Sequence, residues 1–414
     1  MGYYQLQCQH PECGKVYQND DFRLFCDREQ NGEHSPSLLK SIYKSSKLNP
    51  RNDLPGIFKY IDWLPCQNKY LNIDGLPLVY KSEGLAKHLG LSNLWILFSG
   101  FWPARGGDLL TRSFKQLEAP ATIIRYLLTR ETYMPLLISS AGNTANAFNY
   151  VCNALNIPLF FVVPLSGLRK LRLPIKTNPF SIAVKGDYSD AIELANTISR
   201  KTGLFREGGV RNIARRDGMG VGMLEAVNTA GNLFDHYFQA VGSGSGAIAA
   251  WESIKRLQGD GTYGNTNTKF HLIQNKPFTP LVDSWKADAS ELVNIDEFTA
   301  KKNIENVIAE VLTNRQPPYS ISGGVRDVLK NTNGCMYAQD NASIFDAARK
   351  FRAFERIDIG PAAAAATSAM IEAVEQQVVS KSDNILLHIT GGGFEAELER
   401  FREELYEFKP DIIV

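Results

Sequence analysis

A turn with three glycines carries the clearest chemical signal in this sequence. Gly242-Ser243-Gly244-Ser245-Gly246 follows an apolar run, Phe234 to Val241, and precedes a predicted helix that runs through Leu257. Glycines have no Cβ atom and permit a tight turn, and the backbone N–H groups at a helix start converge on one point. The pattern therefore predicts a phosphate-binding turn, and a tight turn without a ligand is the alternative.

A dinucleotide site is a second functional interpretation of the same turn, because Gly242, Gly244 and Ala247 fit the spacing G-x-G-x-x-[GA]. That fingerprint also requires an acidic residue at the end of the next strand, where it binds a ribose hydroxyl. The next predicted strand ends in Gln274-Asn275. We therefore favour phosphate binding over dinucleotide binding.

A second polar loop, Ser139-Ser140-Ala141-Gly142-Asn143-Thr144, also lies between a predicted strand and a predicted helix. Its hydroxyls and first-turn amides could bind a carboxylate, and Asn143 could hydrogen-bond a ring hydroxyl. Ordinary helix N-capping is the alternative.

A lysine stands in the segment Thr111-Arg112-Ser113-Phe114-Lys115-Gln116-Leu117-Glu118. A single lysine near a helix start is usually a solvated charge. Together with a phosphate-binding turn and a hydroxyl-rich anion loop, however, it matches the set of groups that a pyridoxal phosphate enzyme needs.

The elements around these segments predict an α/β protein. From residue 135 onward, short apolar runs end in Gly, Pro or Ser and alternate with helical periodicity, which indicates βαβ units and a parallel sheet covered on both faces. Residues 1–40 differ, because they contain cysteines among polar residues and few apolar positions for a core. A long irregular stretch is expected after them, through Pro103.

The composition limits the function classes. A chain of 414 residues suggests two or three domains, at roughly 150 residues each, and 44% hydrophobic residues can form sizeable cores. The net charge of +1 argues against nucleic acid or an anionic membrane as partner, and we see no signal peptide or membrane span. Six cysteines form no disulfide framework, so we expect a cytoplasmic protein.

Several motifs together resemble those of the threonine-synthase-like group of pyridoxal phosphate enzymes. Ser113-Phe114-Lys115 resembles that group's cofactor-lysine motif, and Ser140 to Thr144 is similar to its S-x-G-N-T loop. The segment from Val184 to Ala191 resembles its V-x-G-x-[FY]-x-[DE]-A turn. The order is also similar: lysine, asparagine loop, glycine turn, then a late strand that ends in Thr390-Gly391-Gly392-Gly393.

This resemblance implies a tryptophan-synthase-β-like fold with two three-layer αβα domains and a small cysteine-bearing N-terminal element. The implied boundaries are 1–40 for that element, 41–125 and 205–414 for a large cofactor-binding domain, and 126–204 for a small domain that carries the asparagine loop. A homodimer is expected from the group alone.

Within the group, the chain is most similar to a branch that uses O-phospho-L-serine. The segments Tyr60 to Pro65, Trp102-Pro103 and Gly208 to Gly220 carry that similarity. Threonine synthases typically continue the lysine motif as Lys-Asp-Arg-Gly, whereas this chain reads Lys115-Gln116-Leu117-Glu118. The implied reaction is β-replacement through an aminoacrylate intermediate, with release of phosphate and addition of sulfite to give L-cysteate.

The resemblance also implies residue roles. Lys115 binds the cofactor and acts as the catalytic base, and Asn143, Thr390 and the five residues Gly242, Ser243, Gly244, Ser245 and Gly246 bind the cofactor. The expected substrate-binding residues are Ser140, Ala141, Gly142, Thr144 and Arg112. Two basic clusters, Arg169 to Lys176 and Arg206 to Arg216, support anionic reactants, although charge runs are more often solvated.

The N-terminal cysteines are similar to a zinc ribbon whose second ligand pair is incomplete. Cys8 and Cys13 form a first pair, but Cys26 is followed by Asp27. Four ligands are needed for a structural zinc site, so we expect a ribbon without metal. The alternative is zinc binding with His10 or His34 as the fourth ligand.

Two other functions remain open. The first is a different reaction with the same cofactor, such as threonine synthesis or the deamination of serine or threonine. The second is a non-catalytic ligand-binding α/β protein. We also expect His388, which lies in an apolar strand, to be a satisfied core residue and not a base.

Overall fold

The computed structural model describes residues 3–18, 20–129, 135–168, 170–171, 180–396 and 409–414. The strands in these ranges are β1 (Tyr4–Cys8), β2 (Val16–Tyr17), β3 (Leu39–Tyr43), β4 (Leu78–Lys81), β5 (Asn93–Phe98), β6 (Phe101–Trp102), β7 (Gly107–Asp108), β8 (Leu136–Ser139), β9 (Leu159–Pro164), β10 (Phe180–Val184), β11 (Phe205–Arg206), β12 (His236–Ala240), β13 (Lys269–Asn275), β14 (Cys335–Gln339), β15 (Asn384–Ile389) and β16 (Ile412–Ile413).

The α-helices are α1 (Asp27–Gln30), α2 (Gly84–Leu89), α3 (Glu118–Thr129), α4 (Asn143–Leu155), α5 (Leu165–Leu168), α6 (Tyr188–Thr202), α7 (Ile213–Ala230), α8 (Ser245–Asp260), α9 (Pro280–Lys286), α10 (Glu297–Ile304), α11 (Val325–Asn331), α12 (Asn341–Glu355) and α13 (Pro361–Glu375). Short 3₁₀ helices lie at Gly56–Trp63, Pro103–Arg105, Phe114–Leu117, Gly209–Arg211 and Glu310–Leu312.

A six-stranded sheet is the larger framework of the molecule. Its order is β14-β13-β12-β15-β5-β4, and all neighbours are parallel except β4 and β5. Leu386 on β15 belongs to one hydrophobic core, and Ile385 and Leu387 belong to another. Because successive side chains of a strand point to opposite faces, this sheet has a core on each face.

A second, five-stranded sheet has the order β11-β8-β9-β10-β16, with all neighbours parallel. Ile138 lies in the core on one face, and Leu137 lies in the core on the other. The two sheets confirm the α/β class. The domain boundaries given above stay predictions, although β8 to β11 fall within or at the edge of the expected small domain.

The region before residue 103 is more regular than expected. β5 pairs with β15 over the whole length of both strands, and β4 pairs with β5. The prediction of an irregular stretch was therefore wrong there. The apolar run Leu94 to Phe98 is short and has polar neighbours, so its place inside the sheet depends on the partner strand nearly three hundred residues later.

The N-terminal element folds as a small sheet whose buried residues belong to a shared hydrophobic core, which the sequence analysis did not expect. β2, β1 and β3 form an antiparallel sheet, and Leu6, Cys8 and Cys26 are buried in a cluster that also contains residues from much later in the chain. The few apolar residues of the element therefore do not have to form a separate core. Within the described ranges, no helix is both long and apolar enough to cross a bilayer.

Candidate active site

The lysine segment is fixed against the carboxyl end of β15. Ser113 caps the short helix Phe114–Leu117, because its Oγ accepts a hydrogen bond from the backbone N–H of Lys115 at 3.3 Å. The N–H of Phe114 donates to the carbonyl of Thr390 at 3.1 Å, and Ser113 forms a β-bridge with Gly391. Lys115 and Thr390 are thereby brought to one place.

The amine of Lys115 has a carboxylate, a thioether and an aromatic ring close to it. Its Nζ is 3.4 Å from Glu118 Oε2, 3.6 Å from Met219 Sδ and 4.7 Å from the ring centre of Phe114. Burial lowers the pKa of Lys115, and the nearby Arg215 lowers it further, whereas Glu118 opposes both effects. A lowered pKa increases the neutral, nucleophilic fraction of the amine near neutral pH.

Arg215 on α7 connects three parts of the site. Its Nε forms an ion pair with Glu118 Oε2 at 3.0 Å, and its other two nitrogens donate hydrogen bonds to Glu207 at 2.7 Å and to the Thr144 hydroxyl at 3.1 Å. Burial raises the pKa of Glu207, and Arg215 opposes that rise. All four side chains are buried, so the arginine balances two carboxylates that would otherwise be costly there.

The glycine turn follows β12 and leads directly into α8. Gly244 has φ 75°, which favours glycine, and it stands just before the helix. A Cβ on Gly246 would lie 2.4 Å from Gln239 Nε2 and 2.8 Å from the Phe114 ring. The turn therefore packs against the residue that precedes Lys115, and the hydroxyls of Ser243 and Ser245 lie 2.9 Å apart beside it.

The hydroxyl of Ser140 forms hydrogen bonds within the asparagine loop. Ser140 Oγ accepts hydrogen bonds from the N–H groups of Gly142 and Ala145, both at 3.0 Å. Asn143 is the first residue of α4, and Gly142 precedes it with φ 119°. The loop is therefore a tight, internally bonded turn with Asn143 at its end.

One cavity of about 380 Å³ brings most of the predicted site together. Its lining includes these predicted residues: Arg112, Lys115, Ser140, Ala141, Asn143, Thr144, Gly242, Ser243, Gly244, Ser245, Gly246 and Thr390. Gly142 is not among the lining residues, since it forms the turn behind the loop. A Cβ there would lie 2.9 Å from the carbonyl oxygen of Gly167.

The lining also contains residues that the sequence analysis did not assign to the site, namely Tyr188, Gln239 and Glu310. Tyr188 lies in a motif that was quoted, and Gln239 stands at the end of the strand before the glycine turn. Their positions beside recognised motifs were the available signal. Glu310 offers no comparable signal in the sequence, because it lies in a short 3₁₀ helix that is not part of any recognised motif.

The two basic clusters contribute unequally. Arg215 and Lys170 line the cavity, whereas Arg211 pairs with Glu29 at 2.8 Å and Arg216 with Glu252 at 3.0 Å. For those two arginines, ion pairs within the fold replace the expected contact with reactants. Arg169, Arg172 and Lys176 lie outside the described residues.

His388 is a satisfied core residue, as expected. Its Nε2 lies 3.0 Å from Ser99 Oγ and its Nδ1 lies 2.8 Å from the Tyr237 hydroxyl. Burial lowers the pKa of His388 to about 3, so the ring is neutral at physiological pH.

Comparison with known protein families matches residues 71–391 to the family described as "Pyridoxal-phosphate dependent enzyme". The chain belongs to this family of pyridoxal-phosphate-dependent enzymes. Over its whole length it is 43% identical to a protein named cysteate synthase of Methanosarcina acetivorans, of which the alignment covers 97%. It is 45% identical over 97% of its length to cysteate synthase of Methanoculleus marisnigri, of which 92% is covered.

Among solved structures, maize serine racemase superposes with a TM-score of 0.60 at 14% sequence identity, covering 79% of this chain and 92% of the racemase. At that identity the likeness concerns the fold alone. It confirms the predicted tryptophan-synthase-β-like fold, and family membership confirms pyridoxal phosphate as the cofactor.

The donor set of the cavity fits that cofactor. An anionic phosphate suits the first N–H groups of α8 and the hydroxyls of Ser243 and Ser245. An aldehyde suits the buried amine of Lys115, whose pKa burial lowers. Asn143 and Thr390 add polar side chains to the lining of the same cavity for the ring substituents.

Proposed function

We propose that this enzyme replaces the phosphate of O-phospho-L-serine with sulfite and forms L-cysteate and inorganic phosphate. In this β-replacement the Cβ–O bond of the substrate breaks, and a Cβ–S bond to sulfite forms. The observation that carries the proposal is the cavity, in which the Lys115 amine and the glycine turn at the start of α8 line the same space. The similarity to two proteins named cysteate synthase over nearly the full chain supports the choice of substrate and nucleophile.

Pyridoxal phosphate, when bound, supplies the electron sink that makes loss of the substrate α-proton feasible. Lys115 would bind the cofactor, and its freed amine would then remove the α-proton and later return one. The glycine turn would bind the cofactor phosphate, and Asn143 and Thr390 would orient the ring. Burial lowers the pKa of the Lys115 amine, which increases its neutral fraction and suits a base.

The other reactant groups are anions, and the cavity offers cations for them. Arg112, Lys170 and Arg215 all line it. The loop from Ser140 to Thr144 would bind the substrate carboxylate through its backbone, because the Ser140 hydroxyl already accepts two internal hydrogen bonds. The positive charge of the three cationic side chains, although Arg215 and Lys170 also pair with carboxylates of the fold, would favour binding of the phosphate that leaves and the sulfite that enters.

Residues next to Lys115 support a substrate other than phosphohomoserine. Gln116 is buried, and its Oε1 accepts a hydrogen bond from the N–H of Thr111 at 2.9 Å. Glu118 is turned toward Lys115 and Arg215. Both side chains therefore have structural roles in this chain at positions where threonine synthases carry Asp and Gly.

The experiment is a product assay with phosphoserine and with phosphohomoserine, each with and without sulfite. The proposal expects phosphate release from phosphoserine with sulfite, matched mole for mole by cysteate in the mass spectrum. Threonine formed from phosphohomoserine would favour the first alternative. A colourless protein that gains no visible absorption band on addition of pyridoxal phosphate would favour the non-catalytic alternative.

We further propose that the enzyme works in the cytoplasm as a homodimer, without nucleic acid or membrane as partner. The near-zero net charge and the six cysteines without disulfides support this environment. Light scattering of the purified protein tests the dimer, and a monomeric mass at micromolar concentration would contradict it.

A further inference from the structure

Four potential metal ligands meet in the N-terminal element, and none of them lines the cofactor cavity. Cys8, Cys13, Cys26 and His34 each present one ligand atom, and these four atoms all lie within 4.8 Å of one another. We propose that these four side chains bind one zinc ion as a structural site.

The distances between the ligand atoms match tetrahedral zinc. With Zn–S bonds of about 2.3 Å and Zn–N bonds of about 2.0 Å, two sulfurs lie roughly 3.8 Å apart and a sulfur and a nitrogen about 3.5 Å apart. Here Cys13 Sγ and Cys26 Sγ are 3.8 Å apart. His34 Nε2 is 3.7 Å from Cys8 Sγ and 3.4 Å from Cys26 Sγ.

The groups around the four ligands orient them as zinc sites require. His34 Nδ1 lies 2.7 Å from the carbonyl oxygen of Ser35, so Nδ1 donates that proton and Nε2 has its lone pair available for the metal. The hydroxyl of Ser37 lies 3.0 Å from Cys8 Sγ, and the hydroxyl of Tyr17 donates to Cys26 Sγ at 3.1 Å. Such hydrogen bonds stabilise thiolates.

The backbone explains why the sequence spacing looked incomplete. Cys8 ends β1, Cys13 lies in the turn that returns the chain to β2, and Cys26 stands just before α1. His34 replaces the missing second cysteine after α1. The ring of His10 stacks on that of His34 at 4.4 Å, so of the two histidines considered earlier, His34 is the ligand.

The site would stabilise the surface against which α7 and α8 pack. Ser41 and Tyr43 on β3 donate hydrogen bonds to Asp217 on α7 at 2.5 and 2.6 Å, and Gln9 donates to Glu252 on α8 at 3.0 Å. Arg215 lies on α7, and α8 begins at the glycine turn. Bound zinc would therefore affect the active site indirectly, by stabilising these contacts, and would not touch the reactants.

The test is the zinc content of the purified holoenzyme, measured by mass spectrometry against protein concentration under reducing conditions. We expect one zinc per chain in the wild type and in Cys335→Ser, a matched control because Cys335 is half-buried and outside the cluster. Cys13→Ser should lose most of the zinc, and chelation of the wild type should lower its thermal unfolding midpoint until zinc is restored.

A second measurement remains informative if Cys13→Ser fails to fold. Cobalt-substituted wild type should show thiolate-to-cobalt charge transfer and the intense visible bands of tetrahedral coordination. A wild type without bound zinc, a Cys13–Cys26 disulfide in freshly purified protein, or full zinc retention in Cys13→Ser would each overturn the proposal.

Discussion

Two opposite charges, those of Arg215 and Glu118, influence the pKa of the Lys115 amine and therefore the pH at which it becomes neutral. Burial and Arg215 lower its pKa, whereas Glu118, whose Oε2 is 3.4 Å away, raises it. An amine attacks an aldehyde only in its neutral form, so uptake of pyridoxal phosphate by the apoenzyme should rise with pH through this pKa.

Two neutralising substitutions should therefore move the pH profile of cofactor uptake in opposite directions. Arg215→Gln removes a charge that lowers the pKa of Lys115, so the profile shifts to higher pH. Glu118→Gln removes a charge that raises it, so the profile shifts to lower pH. The measurement is the rate at which the visible absorption band returns after cofactor is added to each apoenzyme.

Shifts of the same sign in both variants would contradict this account of Lys115. Cys335→Ser, which changes a residue outside the cavity lining, is the control for purification and cofactor removal.

At the scale of elements, the glycine turn and the lysine segment support each other by close packing. The missing Cβ of Gly246 leaves room for the Phe114 ring and for Gln239. Gly259 lies on the same helix, α8, with no atom within 4 Å of the position that its Cβ would take. The helix thus contains one glycine that the site requires and one that it does not.

Gly246→Ala should push Phe114 and Gln239 away from the turn and misplace Lys115. Overpacking of this kind costs about 1–3 kcal/mol, so we expect affinity for pyridoxal phosphate to fall about tenfold or more. Gly259→Ala should leave that affinity unchanged and stabilise α8 by up to about 1 kcal/mol, because alanine is the better helix former. Fluorescence titration of each apoenzyme with cofactor measures the affinity, and equal affinities would refute the packing argument.

The local elements of the site could be predicted from sequence because their residue types dictate their backbone. The glycine turn and the asparagine loop each follow an apolar strand and precede a helix, and both were recognised. Arg215 could not be assigned in the same way. Its contact with Glu118 and Thr144 depends on how α7 packs against α3 and α4, and a run of arginines on one helix carries no information about that packing.

At the scale of the whole molecule, the site is assembled from segments that are distant along the chain. β15 lies between β12 and β5, which places Thr390, the glycine turn and the lysine segment at one edge of the six-stranded sheet. The sequence predicted β12, β13 and β15 but missed β4, β5 and β14. β5 and β14 are as long as β15 and β12, and pairing with strands distant along the chain is what identifies them.

The ligand cluster of the N-terminal element was likewise only partly predictable from sequence, because it also depends on contacts between distant segments. Its cysteines were visible in the sequence, but their approach to His34 depends on the three-stranded sheet and on contacts with α7 and α8. Spacing along the chain therefore left the fourth ligand open between His10 and His34, whereas the folded element brings His34 to the three cysteines.

The central claim is that the amine of Lys115 binds pyridoxal phosphate in this cavity. The most direct measurement is borohydride reduction of the holoenzyme, followed by proteolysis and mass spectrometry to locate the lysine that carries the reduced pyridoxyl group. The account predicts the label on Lys115 and its loss in Lys115→Ala, with catalytic activity reduced by roughly 10² to 10⁴ or more. A label on Lys170 or Lys255 in the wild type, or a reducible link that persists in Lys115→Ala, would contradict it.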